Sequence, residues 1–244
     1  MKFKIALIVF AILFLSALGF GLVNRFGYTD ANRDRKLIET SYTSALSDET
    51  LKMSLARLKS GDPNNDVPAL LDAPNILAVR CEDWSTFRYR SMTQKVSVVK
   101  VFRSESLSFG DELEVVRSRG VSSREGKYAQ PELRGRCGIS FGYVNEMIPG
   151  KTYLVFLDHG IDSARDESIW YFLDNLVTAQ FCYEEIPNKP VELIGEEVRV
   201  ACYENIKENE FFLTSEEAIE RMLVLKTSLL QKFPLEEVKK GGVR

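Results

Sequence analysis

Apolar residues run from Ile5 to Val23 without a single charge, nineteen positions in all. As a helix this stretch would be about 28 Å long, close to the hydrocarbon thickness of a bilayer. Lys2 and Lys4 precede it, and Asn24 and Arg25 end it. Basic residues stay on the cytoplasmic side, so the pattern predicts a membrane helix within residues 1–25 and export of everything after it. A cleaved signal peptide is the competing reading, with an apolar region to Ser16 and Ala17-Leu18-Gly19 as the small-residue site. Phe20 to Val23 carry the apolar run past that site, which favours an uncleaved anchor at the cell membrane; cleavage would instead release a secreted chain.

Helical spacing follows. Leu37, Ile38, Tyr42, Leu46, Leu51, Leu55 and Leu58 recur at threes, fours and fives, predicting one or two amphipathic helices with Ser47 or Asp48 as a cap and Gly61 as a stop. They form either a stalk or a helix packed on the following domain. Three prolines between Gly61 and Pro74 break regular structure, so residues 26–74 read as helical stalk and linker and 75–234 as the main domain. Within that domain the period changes to that of strands: Ile76–Cys81, a long Thr86–Phe102 bent near Arg90 to Gln94, Glu112–Arg117, Thr152–Leu157, Ile169–Leu173, Thr178–Glu184 and Val198–Tyr203. Gly120–Gly135 and Asp158–Asp166 read as loops. A helix capped by Thr214 or Ser215 carries Ile219, Met222, Leu223, Leu225, Leu229 and Leu230 as its packing stripe and stops at Pro234. Residues 235–244 read as a disordered tail.

Charge refines this picture. The net charge of -3 gives no support for nucleic acid as a partner. Its distribution is uneven: Arg80–Arg136 holds 12 basic and 8 acidic residues, and Asp158–Glu220 holds 4 basic and 16 acidic. Arg117, Arg119, Arg124, Lys127, Arg134 and Arg136 are thereby candidates for a basic binding surface facing an exported or envelope partner.

Four cysteines, Cys81, Cys137, Cys182 and Cys202, form no Cys-x-x-Cys pair, so zinc and redox motifs are unsupported. Outside the cytoplasm an even count points to two disulfides. Of three connectivities, Cys81–Cys137 and Cys182–Cys202 suit the order of elements best, the second stapling a hairpin. If thiols stay reduced, all four serve as buried apolar residues. His159 is the only histidine and sits in a turn sequence. Nucleophile elbow, phosphate loop, dinucleotide fingerprint and HExxH are all missing, so no catalytic residue, cofactor or metal is expected. Carboxylates such as Glu82, Asp83 and Asp158 are the hydrolase candidates; the adjacent pairs Glu82-Asp83, Glu184-Glu185 and Glu196-Glu197 suit joint acid/base work poorly, because neighbours on a strand point to opposite faces.

A strand ending in Lys100-Val101-Phe102, then Gly110-Asp111-Glu112-Leu113-Glu114-Val115, a polar loop, Cys137-Gly138 and Pro149-Gly150-Lys151-Thr152-Tyr153-Leu154-Val155-Phe156 together resemble the netrin-like domain. That is the OB-type barrel shared with tissue inhibitors of metalloproteinases and related bacterial exported proteins. The resemblance covers about Ile76 to Tyr183. It implies an OB-like barrel; with the segments read above, the expected fold is mainly β with flanking helices (α+β), the barrel set between an N-terminal transmembrane helix with helical linker and a C-terminal helix. In the inhibitors a free N-terminal cysteine engages the target's zinc. Here the first cysteine is Cys81, far inside the chain, so no inhibitory residue carries over. The expectation is a membrane-anchored extracytoplasmic binding module and not an enzyme; a protease-inhibitor-like protein and a carboxylate hydrolase of the envelope are the alternatives.

Overall fold

Strand β2 (Asn75–Cys81) is apolar at almost every position because both of its faces are covered. Leu77, Val79 and Cys81 turn to one core, and Ile76 turns to another. The period of two along a strand produces this division. Strand β8 (Thr152–Asp162) repeats it, with Tyr153, Val155 and Leu157 on the first side and Leu154 and Phe156 on the second. These two adjacent strands are the wall between the two cores.

The computed structural model describes residues 14–17, 19, 42–61, 63–64, 68–88, 91–117, 121–123, 137–139, 143–162, 168–173, 179–194 and 200–235. The chain divides into two units, Met1–Arg35 and Lys36–Arg244. In the first, residues 14–17 and 19 are helical. Most of the expected membrane segment, residues 5–23, lies outside the described residues. No helix among the described residues is long and apolar enough to cross a membrane.

The second unit is mainly β with a few helices, and its centre is a closed barrel of five strands, consistent with an OB-like α+β fold. β4 (Ser91–Arg103) pairs antiparallel with β2 and with β5 (Glu112–Arg117). β5 pairs in parallel with β9 (Ser168–Phe172), β9 pairs antiparallel with β8, and β8 returns to β2. All five strands send side chains inward: Val79, Val96 and Val98, Leu113 and Val115, Tyr153 and Val155, Trp170 and Phe172. A short β10 (Gln180–Cys182) extends the sheet beyond β8. A second sheet joins β1 (Tyr42–Ser44), β6 (Val121–Ser123), β7 (Cys137–Ile139) and β11 (Val200–Cys202).

Two helices build the second core against the barrel wall. In α1 (Asp48–Ser60), the Ser47 hydroxyl caps the Thr50 N–H and the Gly61 N–H closes on the Arg57 carbonyl. Leu51 and Leu58 belong to the same buried cluster as Phe156 and Phe181. In α2 (Glu216–Lys232), capped by Ser215, Ile219, Met222 and Leu229 join the same cluster. α1 is therefore part of the domain and not a stalk, because its apolar face has a barrel wall to bury against.

Other departures from the sequence reading have local causes. Tyr42 belongs to β1, not to a helix, since β7 and β11 flank it. The expected long strand 86–102 is interrupted: β3 (Thr86–Arg88) folds back on β4 as a hairpin with Arg88 opposite Ser91. Asp158–Asp162 continue β8 where a loop was expected, carried by pairing with β9. Val121–Ser123, expected in a loop, pair with β7.

The seam between β8 and β9 depends on one glycine. The register shifts between Leu157 and Gly160, which sets Gly160 opposite Trp170. A Cβ at Gly160 would lie 2.8 Å from Trp170 Cε2. Gly160→Val is expected to cost about 1–3 kcal/mol by overpacking. Thermal unfolding should show a midpoint several degrees lower, and adding Trp170→Leu should recover part of the loss.

Candidate functional site

One end of the barrel is sealed by side-chain chemistry instead of sheet. The segment 144–150 follows the second sheet and leads into β8 through Pro149-Gly150. Gly150 takes φ +83, and the Lys151 N–H returns to the Ile148 carbonyl at 3.1 Å. A positive φ at the third residue of such a turn suits glycine. The Gly150 N–H also reaches the Cys81 carbonyl at 2.8 Å, fixing the turn to the end of β2.

Buried amides hold the rest of this segment. Gln94 makes a reciprocal pair with Met147, accepting its N–H at 2.9 Å and donating to its carbonyl at 2.8 Å. Asn145 is the hub: its amide donates to the Lys207 and Asn209 carbonyls at 2.8 and 2.9 Å. Its side-chain oxygen accepts from the Glu146 N–H and the Tyr203 hydroxyl, both at 2.9 Å. Arg117 donates to the Val144 and Asn145 carbonyls and to Gln180 Oε1. Burial of this many polar groups is tolerated because they satisfy one another.

Beyond this plug lies residues 82–88, the turn and β3. Trp84, just before β3, is 50% exposed. The Ser85 N–H donates to Glu146 Oε2 at 3.1 Å, and the Asp83 carbonyl accepts from Gln94 at 3.2 Å, so the plug anchors the hairpin. Ser85 Oγ is buried without a hydrogen-bond partner.

The basic candidates separate in this geometry. Arg117 is 6% exposed and belongs to the plug, not to a surface. Its position on the inner end of β5, among carbonyls, is the reason. Arg119, Arg124, Lys127, Arg134 and Arg136 lie outside the described residues.

The acidic candidates do not converge. Glu82 and Asp83 are exposed beyond the end of β2, where Ser97 donates to Glu82 at 2.5 Å. Asp158 sits beside the start of β2, next to Leu157, which pairs with Asn75. Seven residues of strand separate the two ends, about 23 Å. Paired glycosidase carboxylates need about 5–10 Å.

The disulfide expectation is corrected: Cys81, Cys182 and Cys202 are free thiols. Cys81 ends a barrel strand while Cys137 lies in the second sheet; Cys182 and Cys202 are split in the same way. Cys81 instead donates to the Asp83 carbonyl at 3.2 Å, and Cys182 to Glu184 Oε2 at 3.1 Å. Burial pushes both thiols up to about 12. At pH 8 a thiol of that acidity is ionised in about one molecule in 10,000. Native protein is therefore expected to leave Cys81 and Cys182 unlabelled by an aromatic disulfide reagent over hours, with rapid labelling in guanidinium. A mass two hydrogens short of the reduced chain would count against it.

Sequence reasoning missed one ionic pair. Glu210, 3% exposed, accepts from Lys226 Nζ at 2.6 Å and from the Cys182 N–H at 2.7 Å. Burial raises the Glu210 carboxyl, with Lys226 opposing. Both oxygens are engaged, so this acid clamps α2 to β10 and is not available to a substrate. Among the described residues no cluster of metal-ligating side chains occurs.

No family model, curated protein or solved structure matches the chain.

Proposed function

We propose that the chain is a membrane-anchored binding module, held outside the cytoplasm by residues 5–23, that contacts a protein partner through the exterior of an OB-like barrel. The barrel interior is filled by side chains from all five strands and its end is plugged by hydrogen-bonded amides, which carries this reading. A filled interior leaves the outside surface for recognition. The strand order β2-β4-β5-β9-β8, with β5 and β9 parallel, supports the OB-like assignment. In such barrels the second and third strands and the loops joining strands one to two and four to five form the contact face. Here the first of those loops is residues 82–90, which includes exposed Trp84. The netrin-like resemblance points the same way without supplying a target, and the free thiols leave residues 5–23 as the sole support for export.

Photo-crosslinking in cells tests the reading. The full chain with a crosslinkable residue at position 84, 124, 127 or 134 is expected to give a discrete protein adduct, and position 193 none. The adduct should fade when Arg124, Lys127 and Arg134 are reversed in charge. Adducts absent at all four positions would overturn the binding reading, and a C-terminal reporter active only in the cytoplasm would overturn the topology. An inhibitor would instead block metalloproteinases at micromolar concentration.

A further inference from the structure

The outward faces of the two helices carry complementary patterns that the domain itself leaves unmatched. On α2, Glu216, Glu220, Leu223, Val224, Thr227, Ser228 and Gln231 line a surface groove of about 660 Å³. Val224 is 65% exposed and Leu223 37%. On α1, the stripe Glu49, Met53, Ala56, Arg57 and Ser60 is exposed, with Met53 at 58%. Lys52 and Lys59 flank it. Among the described residues, Arg57, Lys59 and Glu216 have no ion-pair partner, and Glu220 is within electrostatic reach of Arg221, whose hydrogen-bonded partner is Glu217.

The charges run in the same order along the two helices. α1 opens on Asp48 and Glu49 and ends on Arg57 and Lys59. α2 opens on Glu216 and Glu217 and ends on Lys232. An antiparallel approach therefore sets the basic end of α1 against the acidic start of α2. The register is also consistent. If Met53 sits against Leu223 and Val224, four residues along α1 bring Arg57 level with Glu220, about 6 Å away along each axis. Two residues further, Lys59 comes level with Glu217 and close to Glu216.

We propose that the chain forms a two-fold dimer in which α1 of each copy lies antiparallel on α2 of the other. The helices are neighbours within one copy, joined by Arg221 to Asp48 at 3.3 Å. An isologous contact then uses both faces at once and closes, repeating each charge pair twice. A second copy is favoured as occupant because the one chain carries both complementary halves.

The test is the oligomeric state of the full chain in detergent, by analytical ultracentrifugation across concentration. A dimer is expected, weakened about tenfold or more by Arg57→Glu and likewise by Glu220→Arg, since each reversal places like charges together twice. The double variant Arg57→Glu/Glu220→Arg should restore it. Both positions are exposed, so at concentrations where the unmodified chain is also monomeric the variants should stay within about 1 kcal/mol of its stability. Mixing Met53→Cys chains with Val224→Cys chains should give a cross-linked pair through those two positions. A monomer at ~100 µM, or a dimer indifferent to both reversals, would overturn the proposal.

Discussion

Lys226→Met is expected to lower stability by about 3–5 kcal/mol at neutral pH, the range for breaking a buried ion pair by removing one partner. Lys226 lies on the core face of α2, between Met222 and Leu229. Its ammonium reaches Glu210 Oε2 at 2.6 Å and the Glu184 carbonyl at 3.4 Å. Removing it strands a carboxylate that is 3% exposed. The remaining donor to Glu210, the Cys182 N–H, carries no charge.

The pH dependence gives this prediction its sign. Burial already holds the Glu210 carboxyl above its ordinary value, with the Lys226 attraction working against the rise. For a carboxyl whose folded value exceeds its unfolded value, the folded state binds the proton more tightly. That stability is fully present below the unfolded value, about 4.3, and is lost as pH rises through the folded value. Without Lys226 the folded value climbs further, and the loss extends over a wider range of pH. The gap between Lys226→Met and the unmodified chain should therefore be largest at pH 7–8 and narrow toward pH 5. Lys151 also acts on Glu210 to lower it, and remains in the variant. Urea unfolding at pH 5 and pH 8 measures the gap; one that stays constant would refute the assignment. Glu210→Gln/Lys226→Met should recover most of the loss, because glutamine keeps an acceptor for Cys182 and no charge is left buried.

Lys226 also marks where the sequence was hard to read. The α2 stripe was legible because leucine, isoleucine and methionine recur at helical spacing, and the cap and stop residues agree with it. A lysine inside that stripe looks like ordinary surface, since its partner Glu210 lies in an irregular segment with no period of its own. Strands β2, β5 and β8 were legible for a related reason: each buries enough apolar residues to outweigh local ambiguity. Their closure into a ring rests on long-range pairings between β5, β9 and β8 that no local pattern displays. The break between β3 and β4 was harder, because Thr, Phe and Arg suit a continuous strand as well as a hairpin. The cysteines misled because an even count in a chain read as exported favours pairing by compartment alone. Only the division between barrel and second sheet separates them. The plug was hidden most completely, since asparagine, glutamine and arginine are surface residues unless tertiary structure surrounds them with carbonyls.

Arg117→Met is the second large effect, expected to cost about 3–5 kcal/mol. The side chain is close in length and apolar, so packing against Phe172, whose ring lies 5.4 Å from the guanidinium carbon, should largely survive. What disappears is the donor set. The Val144 carbonyl loses its Arg117 bond of 3.2 Å, and Gln180 Oε1 loses the other guanidinium nitrogen. The Asn145 carbonyl keeps Gln180 Nε2 at 2.8 Å. Each buried acceptor left unmatched costs about 1–3 kcal/mol. Arg117→Lys should rescue little, because an ammonium cannot span the carbonyls and the amide as a planar fork does. This separates two roles that the sequence grouped together. If Arg117 belonged to a basic contact surface, its loss would weaken partner capture and leave the urea midpoint unchanged. As a plug residue it should shift the midpoint strongly, whereas charge reversal at Arg124, Lys127 and Arg134 should weaken capture on the proposed reading and leave the midpoint within ~0.5 kcal/mol. An Arg117→Met protein that unfolds with the unmodified chain would remove the plug as an element of stability.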